Sequence, residues 1–216
     1  RQLGVPESRI QRLGEKDNFW GPAGDSGPCG PCSEIHYDFG AQYGCGKPNC
    51  GPACDCDRFS EIWNLVFTQY DQDKEGRRTP LPRPNIDTGM GLARIAAVVQ
   101  GKRSVYETDL FEPIMARVTG ISGKGLGLDQ ATDRAAKIIA EHVRGITFLI
   151  ADGVVPGNEG RGYVLRRLLR RTCLFGRKLG LEEPFLVALA DFVIGKMGHV
   201  YRELQTNRES ILNGVD

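Results

Sequence analysis

The sequence contains no apolar run that approaches the roughly 20 residues a membrane-spanning helix needs. No initiator methionine opens it, and its first residues lead into polar sequence rather than into the apolar core of a signal peptide. Internal repeats and low-complexity tracts are also missing. These absences argue against a membrane protein and a secreted protein, and they suggest a piece excised from a longer chain.

Composition places the 216 residues among ordinary globular proteins, as one large domain or two smaller ones. Charged residues make up 25% and apolar residues 40%, and the net charge of +1 does not indicate a partner. Seven cysteines are present, and four of them lie within twelve residues. That distribution favours a metal or structural role in a reducing compartment over a disulfide framework. We therefore expect a cytoplasmic protein.

A strongly apolar segment predicts a strand inside a sheet. Residues 59–70 are rich in aromatic and β-branched side chains, and period-two alternation places Asn64 and Val66 on one face and Glu61 on the other. Buried polar side chains need partners, so Glu61 and Asn64 are either ligand-binding residues or satisfied core residues. The surrounding sequence predicts a strand over residues 33–38, a hairpin loop over residues 71–78 and an irregular bent loop over residues 21–31.

The segment from Pro80 to Gly101 predicts a strand, a turn and a helix in succession. Three prolines hold its first part extended, residues 85–89 end the strand in a tight turn, and an amphipathic helix runs from Met90 until the terminal glycine stops it. Backbone N–H groups at such a helix start, with Arg94 beside them, suit a phosphate. The alternative is a strand-to-helix corner in which the glycines only relieve crowding.

Four cysteines lie close together in a glycine-rich segment: Cys45, Cys50, Cys54 and Cys56. Four thiolates close in sequence can surround a tetrahedral zinc ion, and the glycines allow tight turns. The spacing C-x4-C-x3-C-x-C differs from the usual paired C-x2-C arrangement, so an inert surface insertion is the alternative. A separate pair, Cys29 and Cys32, resembles half of a zinc site, but structural packing is the favoured interpretation.

The second half of the sequence predicts helices only. The glycine-rich residues 121–129 mark the best domain boundary, and an apolar helix follows over residues 133–151. His142 in that helix is expected to be a satisfied core histidine rather than a metal ligand.

A later helix carries charges of one sign. Seven basic residues and no acid occur between Arg161 and Lys178. Four arginines fall on one arc, opposite an apolar stripe: Arg166, Arg167, Arg170 and Arg171. Solvated faces normally mix charges, so this arc indicates a polyanion such as nucleic acid, and an ordinary solvated face is the alternative. Asn158, in the loop before the helix, can cap the helix or reach a base or sugar edge.

Four blocks of sequence together resemble one enzyme family. They are NFW with GDSGPCGPCSEI, then EIWNLVF, LPRPNIDTGMGLARIAAVVQG and ADGVVPGNEGRGYVLRRLLRR, in the order typical of the alanyl-tRNA synthetases, which are class II aminoacyl-tRNA synthetases. The resemblance covers essentially the whole chain and implies an α+β fold. Residues 1–120 would form the C-terminal part of the class II antiparallel sheet with flanking helices, including a cysteine-rich insertion at 44–57. Residues 121–216 would form an all-helical domain that recognises the tRNA acceptor stem.

The resemblance also implies a reaction and its residues. Alanine would be activated with ATP and Mg²⁺ to alanyl-adenylate and then transferred to tRNA(Ala). Arg94, on the ATP phosphates, and Asp87, on the α-amino group of alanine, would be the catalytic residues. The implied ATP site consists of Gly89, Gly91, Arg94 and Glu61. The implied alanine site consists of Trp20, Asn64, Val66, Asp87 and Gly89. The implied tRNA-binding residues are Asn158, Arg161, Arg166, Arg167, Arg170 and Arg171.

Three departures from the family pattern qualify these expectations. Motifs 1 and 2, including the motif 2 arginine, are not in these 216 residues, and neither is the editing domain. The block LPRPNIDTGMGLARIAAVVQG resembles motif 3 of the class, with Arg94 as its arginine. The class normally has an acid directly before this arginine, where this sequence has Ala93, so Glu61 is a candidate replacement. We therefore expect the chain alone to be unable to form alanyl-adenylate without the remainder of its catalytic core. The rival hypothesis is a non-catalytic, zinc-containing RNA-binding module whose glycine turn is only structural.

Overall fold

The computed structural model describes residues 3–127 and 129–216. Its strands are β1 (Phe19–Trp20), β2 (Gly27–Asp38), β3 (Phe59–Gln72) and β4 (Arg78–Met90). Its helices are α1 (Glu15–Asn18), α2 (Leu92–Val99), α3 (Glu112–Ser122), α4 (Gln130–Ala151), α5 (Gly160–Lys178), α6 (Leu186–Met197), α7 (Arg202–Thr206) and α8 (Arg208–Val215). The chain divides in sequence between Val105 and Tyr106 into a unit that contains the sheet and a unit built of helices. The predicted α+β class is confirmed.

The sheet is antiparallel throughout, with the strand order β1-β2-β3-β4. The aromatic and β-branched residues of β3 form the predicted strand and pair with β2 on one side and β4 on the other. A hairpin joins β3 to β4, as predicted. Its turn is closed by a hydrogen bond from the backbone N–H of Gly76, at φ +80°, to the carbonyl oxygen of Asp73 at 3.0 Å.

Strand β2 begins earlier than its composition predicts. The bent loop predicted for residues 21–31 is wrong for its second part, because β2 starts at Gly27. A Cβ atom at Gly30 would lie 1.9 Å from the backbone oxygen of Phe67 on β3, so glycine lets two strand backbones approach where any side chain would collide. A register shift at this point accommodates Pro31, whose ring has no N–H to donate.

The turn predicted at residues 85–89 is instead extended. Pairing with β3 satisfies the backbone groups of this segment, so β4 continues to Met90. Gly91, at φ −74°, then leads directly into α2, which begins two residues later than predicted. Gly101 has φ +65° just beyond the helix, in agreement with its predicted role in stopping the helix.

Helix α4 is the centre of the helical unit and packs against α3, α5, α6 and α8. The Asp129 side chain caps its start by accepting a hydrogen bond from the Thr132 backbone N–H at 2.8 Å, and Gly153, at φ +78°, follows its end. The fully buried core of this unit includes Ile114, Val118, Ile139, Val143, Ile146, Leu165 and Leu189. In the described part of the chain, no helix combines the length and apolar character required to cross a membrane.

Helix α3 belongs to the helical unit, although the sequence suggested otherwise. Ile114, Met115 and Val118 are buried, and α3 packs against α4 and α6. The compact units divide at 105/106, and the division into a catalytic and a tRNA-recognition domain at 120/121 stays a prediction. Gly123, at φ +65°, ends α3. A glycine-rich stretch can mark a helix end as well as a domain linker.

Candidate functional site

Strand register brings four of the predicted alanine-binding residues together. Asn64 on β3 is directly opposite Gly89 on β4, and Val66 is directly opposite Asp87. Directly opposed residues of antiparallel strands have Cβ atoms about 4.5–5.5 Å apart and lie on the same face. Val66 is buried and Asp87 is exposed. A carboxylate therefore lies beside an apolar wall.

Trp20, the fifth residue of the predicted alanine set, lies in another part of the sheet. Strand β1 places it opposite Gly30, and β2 separates β1 from β3. It is 41% exposed. Strand pairing thus does not bring Trp20 directly opposite Val66 or Asn64.

Hydrogen bonds connect Asn64 to β2. Asn64 Nδ2 donates to Glu34 Oε1 at 3.1 Å, and Glu34 Oε2 lies 2.9 Å from His36 Nε2. The other amide atom, Asn64 Oδ1, is buried and has no hydrogen-bond partner among the described residues. Leaving a buried acceptor unpaired costs about 1–3 kcal/mol. A ligand group that donates to Oδ1 would recover this cost.

The two cysteines of β2 lie in the interior. Cys29 and Cys32 are both buried, and Cys32 is paired with Val66. Burial raises the pKa of the Cys32 thiol, and the negative charge of Glu34 raises this pKa further. Such a thiol stays neutral and packs as a small apolar side chain, which agrees with the packing interpretation of this pair.

The predicted ATP-binding residues lie where β4 leads into α2. Arg94, in the first turn of α2, donates through Nη1 to the Glu61 backbone oxygen at 2.9 Å and to Glu61 Oε2 at 3.2 Å. The Gly91 backbone N–H donates to the Ile62 oxygen at 3.1 Å, so that N–H group is already engaged in the fold. The Arg94 side chain is 51% exposed and therefore accessible to an anion. Gly89 lies two residues before Gly91, at the end of β4.

The loop between β2 and β3 brings the predicted metal ligands together. The Sγ atoms of Cys45, Cys50 and Cys54 all lie within 4.8 Å of one another, and Cys56 Sγ is 3.7 Å from Cys50 Sγ. A hydrogen bond from the Cys45 backbone N–H, with further ones from neighbouring thiols and Arg58, lowers the pKa of Cys50 to about 7. A substantial fraction of this thiol is thus ionised near neutral pH.

Helix α5 presents the predicted arginine arc to solvent. Its four members, Arg166, Arg167, Arg170 and Arg171, are exposed, and so is Arg161 in the first turn of the helix. Leu165 and Thr172 are fully buried on the opposite side. The apolar residue Val164, next to Leu165, is 42% exposed, so the buried stripe of α5 is narrow.

Asn158 joins this arc through a side-chain contact. It is exposed in the loop before α5, and Arg166 Nη1 donates a hydrogen bond to its Oδ1. The loop itself is held tightly, since a Cβ atom at Gly162 would lie 2.6 Å from the carbonyl oxygen of Val155. The structure therefore brings the predicted RNA-binding asparagine and the arginines onto one surface of the helical unit.

His142 on α4 differs from the expected satisfied core histidine. Its Nε2 is buried without a hydrogen-bond partner among the described residues. Burial lowers the pKa of His142, and the positive charge of Arg171 lowers it further. The ring is therefore held in its neutral form.

Comparison with known sequences identifies the family. The sequence model described as "tRNA synthetases class II (A)" matches residues 1–216. The chain belongs to this family. The matched segment covers both the sheet unit and the helical unit, so the whole described fold is that of a class II (A) tRNA synthetase segment.

Relatives of this synthetase segment carry a more specific name. It is 63% identical over 215 residues to the alanine–tRNA ligase of Dehalococcoides mccartyi, 57% identical to that of Desulfosudis oleivorans and 52% identical to that of Natranaerobius thermophilus. Each match covers 100% of this chain but only 24–25% of the relative. The chain thus spans about a quarter of the length of the curated relatives it matches.

Sequence reasoning missed Glu34 as a site residue in this synthetase segment. Glu34 is the β2 residue paired with Asn64, and its carboxylate fixes the Asn64 amide. Its position on the same strand face as His36 was visible in the sequence. The strand register, which a single sequence does not reveal, was needed to connect it with Asn64.

Proposed function

We propose that the chain is part of an alanine–tRNA ligase, which activates alanine with ATP and transfers it to tRNA(Ala). The observation that carries the proposal is the register that gathers Asn64, Val66, Asp87 and Gly89 at one place on the sheet. The high identity to proteins named alanine–tRNA ligase supports it. In this proposal the sheet unit contributes to the alanine and ATP sites, and the helical unit binds the acceptor stem.

Alanine recognition requires a partner for its ammonium group and a small apolar wall for its methyl group. Asp87 supplies an accessible carboxylate for the ammonium group, and the buried Val66 directly opposite supplies the apolar wall. Asn64 Oδ1, a buried acceptor without a partner among the residues that the structure describes, suits a second hydrogen bond from the same group. Trp20 would complete the pocket from β1. Rejection of larger or hydroxylated side chains is weak in such a pocket, about 1–3 kcal/mol per methylene.

ATP recognition requires positive charge on the phosphates. Arg94 is the accessible cation at the start of α2, and Glu61 fixes its direction. Gly89 and Gly91 have no side chain to obstruct the nucleotide. Mg²⁺ binds oxygen ligands and commonly bridges substrate phosphates. The part-exposed Glu61 carboxylate beside Arg94 fits such an ion, which when bound would neutralise phosphate charge.

The reaction places few covalent demands on these residues. The alanine carboxylate oxygen attacks the ATP α-phosphorus, the new O–P bond forms, and pyrophosphate leaves. A terminal ribose hydroxyl of the tRNA then attacks the alanyl carbonyl carbon, and AMP leaves. Asp87 and Asn64 orient alanine and Arg94 neutralises phosphate charge, so positioning and electrostatics supply the acceleration.

Acceptor-stem binding is proposed for the α5 surface. RNA helices are bound mainly through the backbone and the shallow minor groove. The exposed arginines suit the phosphates, and Asn158 suits a minor-groove edge once Arg166 turns from it towards the RNA. A protein with these partners would work in the cytoplasm.

Alanine-dependent ATP–pyrophosphate exchange by the full-length protein tests the proposal. We expect Asp87→Asn to raise KM for alanine about 10- to 100-fold, because a hydrogen bond to a charged group contributes about 1.5–3 kcal/mol. KM for ATP should change little. The control is Asp71→Asn, which alters an exposed carboxylate on β3, opposite Thr79 of β4.

Two outcomes would contradict the proposal. Full-length protein that binds RNA but catalyses no exchange would favour the zinc-containing RNA-binding module. An unchanged KM for alanine in Asp87→Asn would remove Asp87 from the alanine site. The chain of 216 residues by itself is expected to give no exchange, because it contains no motif 2 arginine.

A further inference from the structure

The connection between β2 and β3 is long and has little regular structure. It spans residues 39–58 and contains one 3-10 turn, Ala41–Tyr43. Loops of more than about 12–15 residues without secondary structure of their own are uncommon in compact domains. Within this connection Gly51 is the buried residue, and the side chains around it are half-buried or exposed. Hydrophobic burial therefore provides little of the energy needed to order it.

Local hydrogen bonds turn this connection so that its cysteines converge. The backbone N–H of Cys50 donates to the carbonyl oxygen of Lys47 at 3.1 Å, and the backbone N–H of Cys54 donates to the carbonyl oxygen of Gly51 at 2.9 Å. Gly46, at φ +75°, adopts a conformation that other residues rarely allow. These turns point three thiols towards one another, since the Sγ atoms of Cys45, Cys50 and Cys54 lie within 4.8 Å.

The sulfur separations are close to those of a tetrahedral thiolate site. A zinc–sulfur bond of about 2.3 Å gives sulfur–sulfur distances of about 3.8 Å around a tetrahedron. The Cys50–Cys56 separation is 3.7 Å. The separations among Cys45, Cys50 and Cys54 are at most 4.8 Å, about 1 Å more than this spacing. Cys56 joins these three through its contact with Cys50. A disulfide needs about 2.05 Å, and the cysteines are free in the structure.

No other group of the described residues offers this arrangement. Within residues 3–127 and 129–216, Cys45, Cys50 and Cys54 are the one set of three or more His, Cys, Asp or Glu side chains whose ligand atoms all lie within 4.8 Å of one another. The space beside the Cys50 sulfur is also restricted, because a Cβ atom at Gly44 would lie 3.0 Å from Cys50 Sγ. A side chain at that position would press on the sulfur.

We propose that Cys45, Cys50, Cys54 and Cys56 bind one zinc ion. Four protein ligands fill all four tetrahedral positions, so the site is structural and leaves no open position for a substrate. Its role is to order the β2–β3 connection, because the binding energy of a structural zinc ion becomes folding energy of the segment that supplies its ligands. The site is independent of the proposed ligase activity.

Metal content of the purified chain is the first test. We expect one equivalent of zinc per chain, lost on substitution by serine at each cluster cysteine in turn: Cys45→Ser, Cys50→Ser, Cys54→Ser and Cys56→Ser. The matched control is Cys173→Ser, an exposed cysteine on α5 that should leave the zinc content unchanged. Absence of zinc, or its retention in any of the four cluster variants, would overturn the four-thiolate site.

A second measurement keeps the test decisive if a cluster variant fails to fold. Cobalt exchanged into the unmodified chain should give the intense visible absorption of tetrahedral cobalt bound to four thiolates. A chelator should increase the number of thiols that react rapidly with a thiol reagent by four. Octahedral cobalt spectra, or disulfides among these cysteines in the freshly purified chain, would contradict the proposal.

Discussion

Arg94 donates through a single guanidinium nitrogen to both the backbone oxygen of Glu61, at 2.9 Å, and the Glu61 carboxylate, at 3.2 Å. The residue before Arg94 is Ala93, where the class normally has an acid. Strand β3 thus supplies a carboxylate that the helix does not, and it comes from a residue 33 positions earlier in the chain. Both side chains are partly exposed, so the pair contributes about 1 kcal/mol or less to stability. Its main effect is to orient Arg94.

Removing this carboxylate should affect ATP use far more than stability. If Arg94 binds the ATP phosphates as proposed, we expect Glu61→Ala in the full-length protein to lower kcat/KM for ATP by up to about 100-fold, because a misplaced phosphate-binding group is costly. Glu61→Gln, which keeps an acceptor oxygen, should recover part of the loss. Pyrophosphate-exchange kinetics measure this, with Glu75→Ala, at an exposed hairpin ion pair, as the control. Equal kinetics for Glu61→Ala and Glu75→Ala would show that Glu61 does not position Arg94.

Local patterns predicted element types well and failed where distant backbone contacts decide the structure. The alternation in residues 59–70 correctly predicted β3, and it correctly placed Asn64 and Val66 on one face. The glycines and prolines of residues 21–31 predicted a loop, yet part of that stretch is strand because β3 passes close to Gly30. Turn-forming composition does not reveal such an approach.

Candidate site residues could be named from the sequence, but their arrangement could not. The family resemblance supplied Asp87 and Arg94, whereas their neighbours follow from strand register. Register depends on pairing between segments distant in sequence, so the contacts of Asn64 with Glu34 and of Arg94 with Glu61 were open before the structure. The packing of α3 against α4 and α6, which places α3 in the helical unit, depends in the same way on segments distant in sequence.

The close approach at Gly30 gives a stability prediction for the sheet unit. A Cβ atom there would collide with the Phe67 carbonyl group, so Gly30→Ala should lower the free energy of unfolding by about 1–3 kcal/mol or more. Gly24→Ala, where nothing lies within 4 Å, should change it by about 0.5 kcal/mol or less. Both tryptophans, Trp20 and Trp63, belong to the sheet, so urea unfolding followed by tryptophan fluorescence reports on this unit. Similar midpoints for the two variants would rule out the steric explanation.

The arginine arc should be detectable as a salt dependence. Each arginine that contacts an RNA phosphate contributes about 1 to the slope of the logarithm of the binding constant against the logarithm of the salt concentration. Arg167→Gln combined with Arg170→Gln should therefore reduce the slope for an alanine-tRNA acceptor-stem hairpin by about 2. The control is the double variant Arg134→Gln with Arg202→Gln, which removes the same charge from exposed positions on α4 and α7. Equal slopes for the two double variants would assign the effect to net charge and remove the arc as a binding surface.

His142 should make the helical unit sensitive to acid. Burial and the positive charge of Arg171 hold its pKa below the ordinary value of 6.5, while the opposing charge of Glu141 offsets this only in part. The unfolded chain therefore takes up a proton at His142 first as pH falls below 6.5, and stability decreases until the folded-state pKa is passed. Above 6.5 both states are neutral at this residue and it contributes no pH dependence.

Substitution of His142 should remove this part of the acid sensitivity. We expect urea unfolding followed by far-UV circular dichroism to show a larger loss of stability between pH 7.5 and pH 5 in the unmodified chain than in His142→Gln. His199→Gln, at an exposed position on the same unit, should retain the behaviour of the unmodified chain. An identical pH profile for His142→Gln and the unmodified chain would mean that the half-buried ring takes up its proton as easily in the folded state as in the unfolded state. Its Nε2, which has no partner among the described residues, would then have to be hydrated in solution.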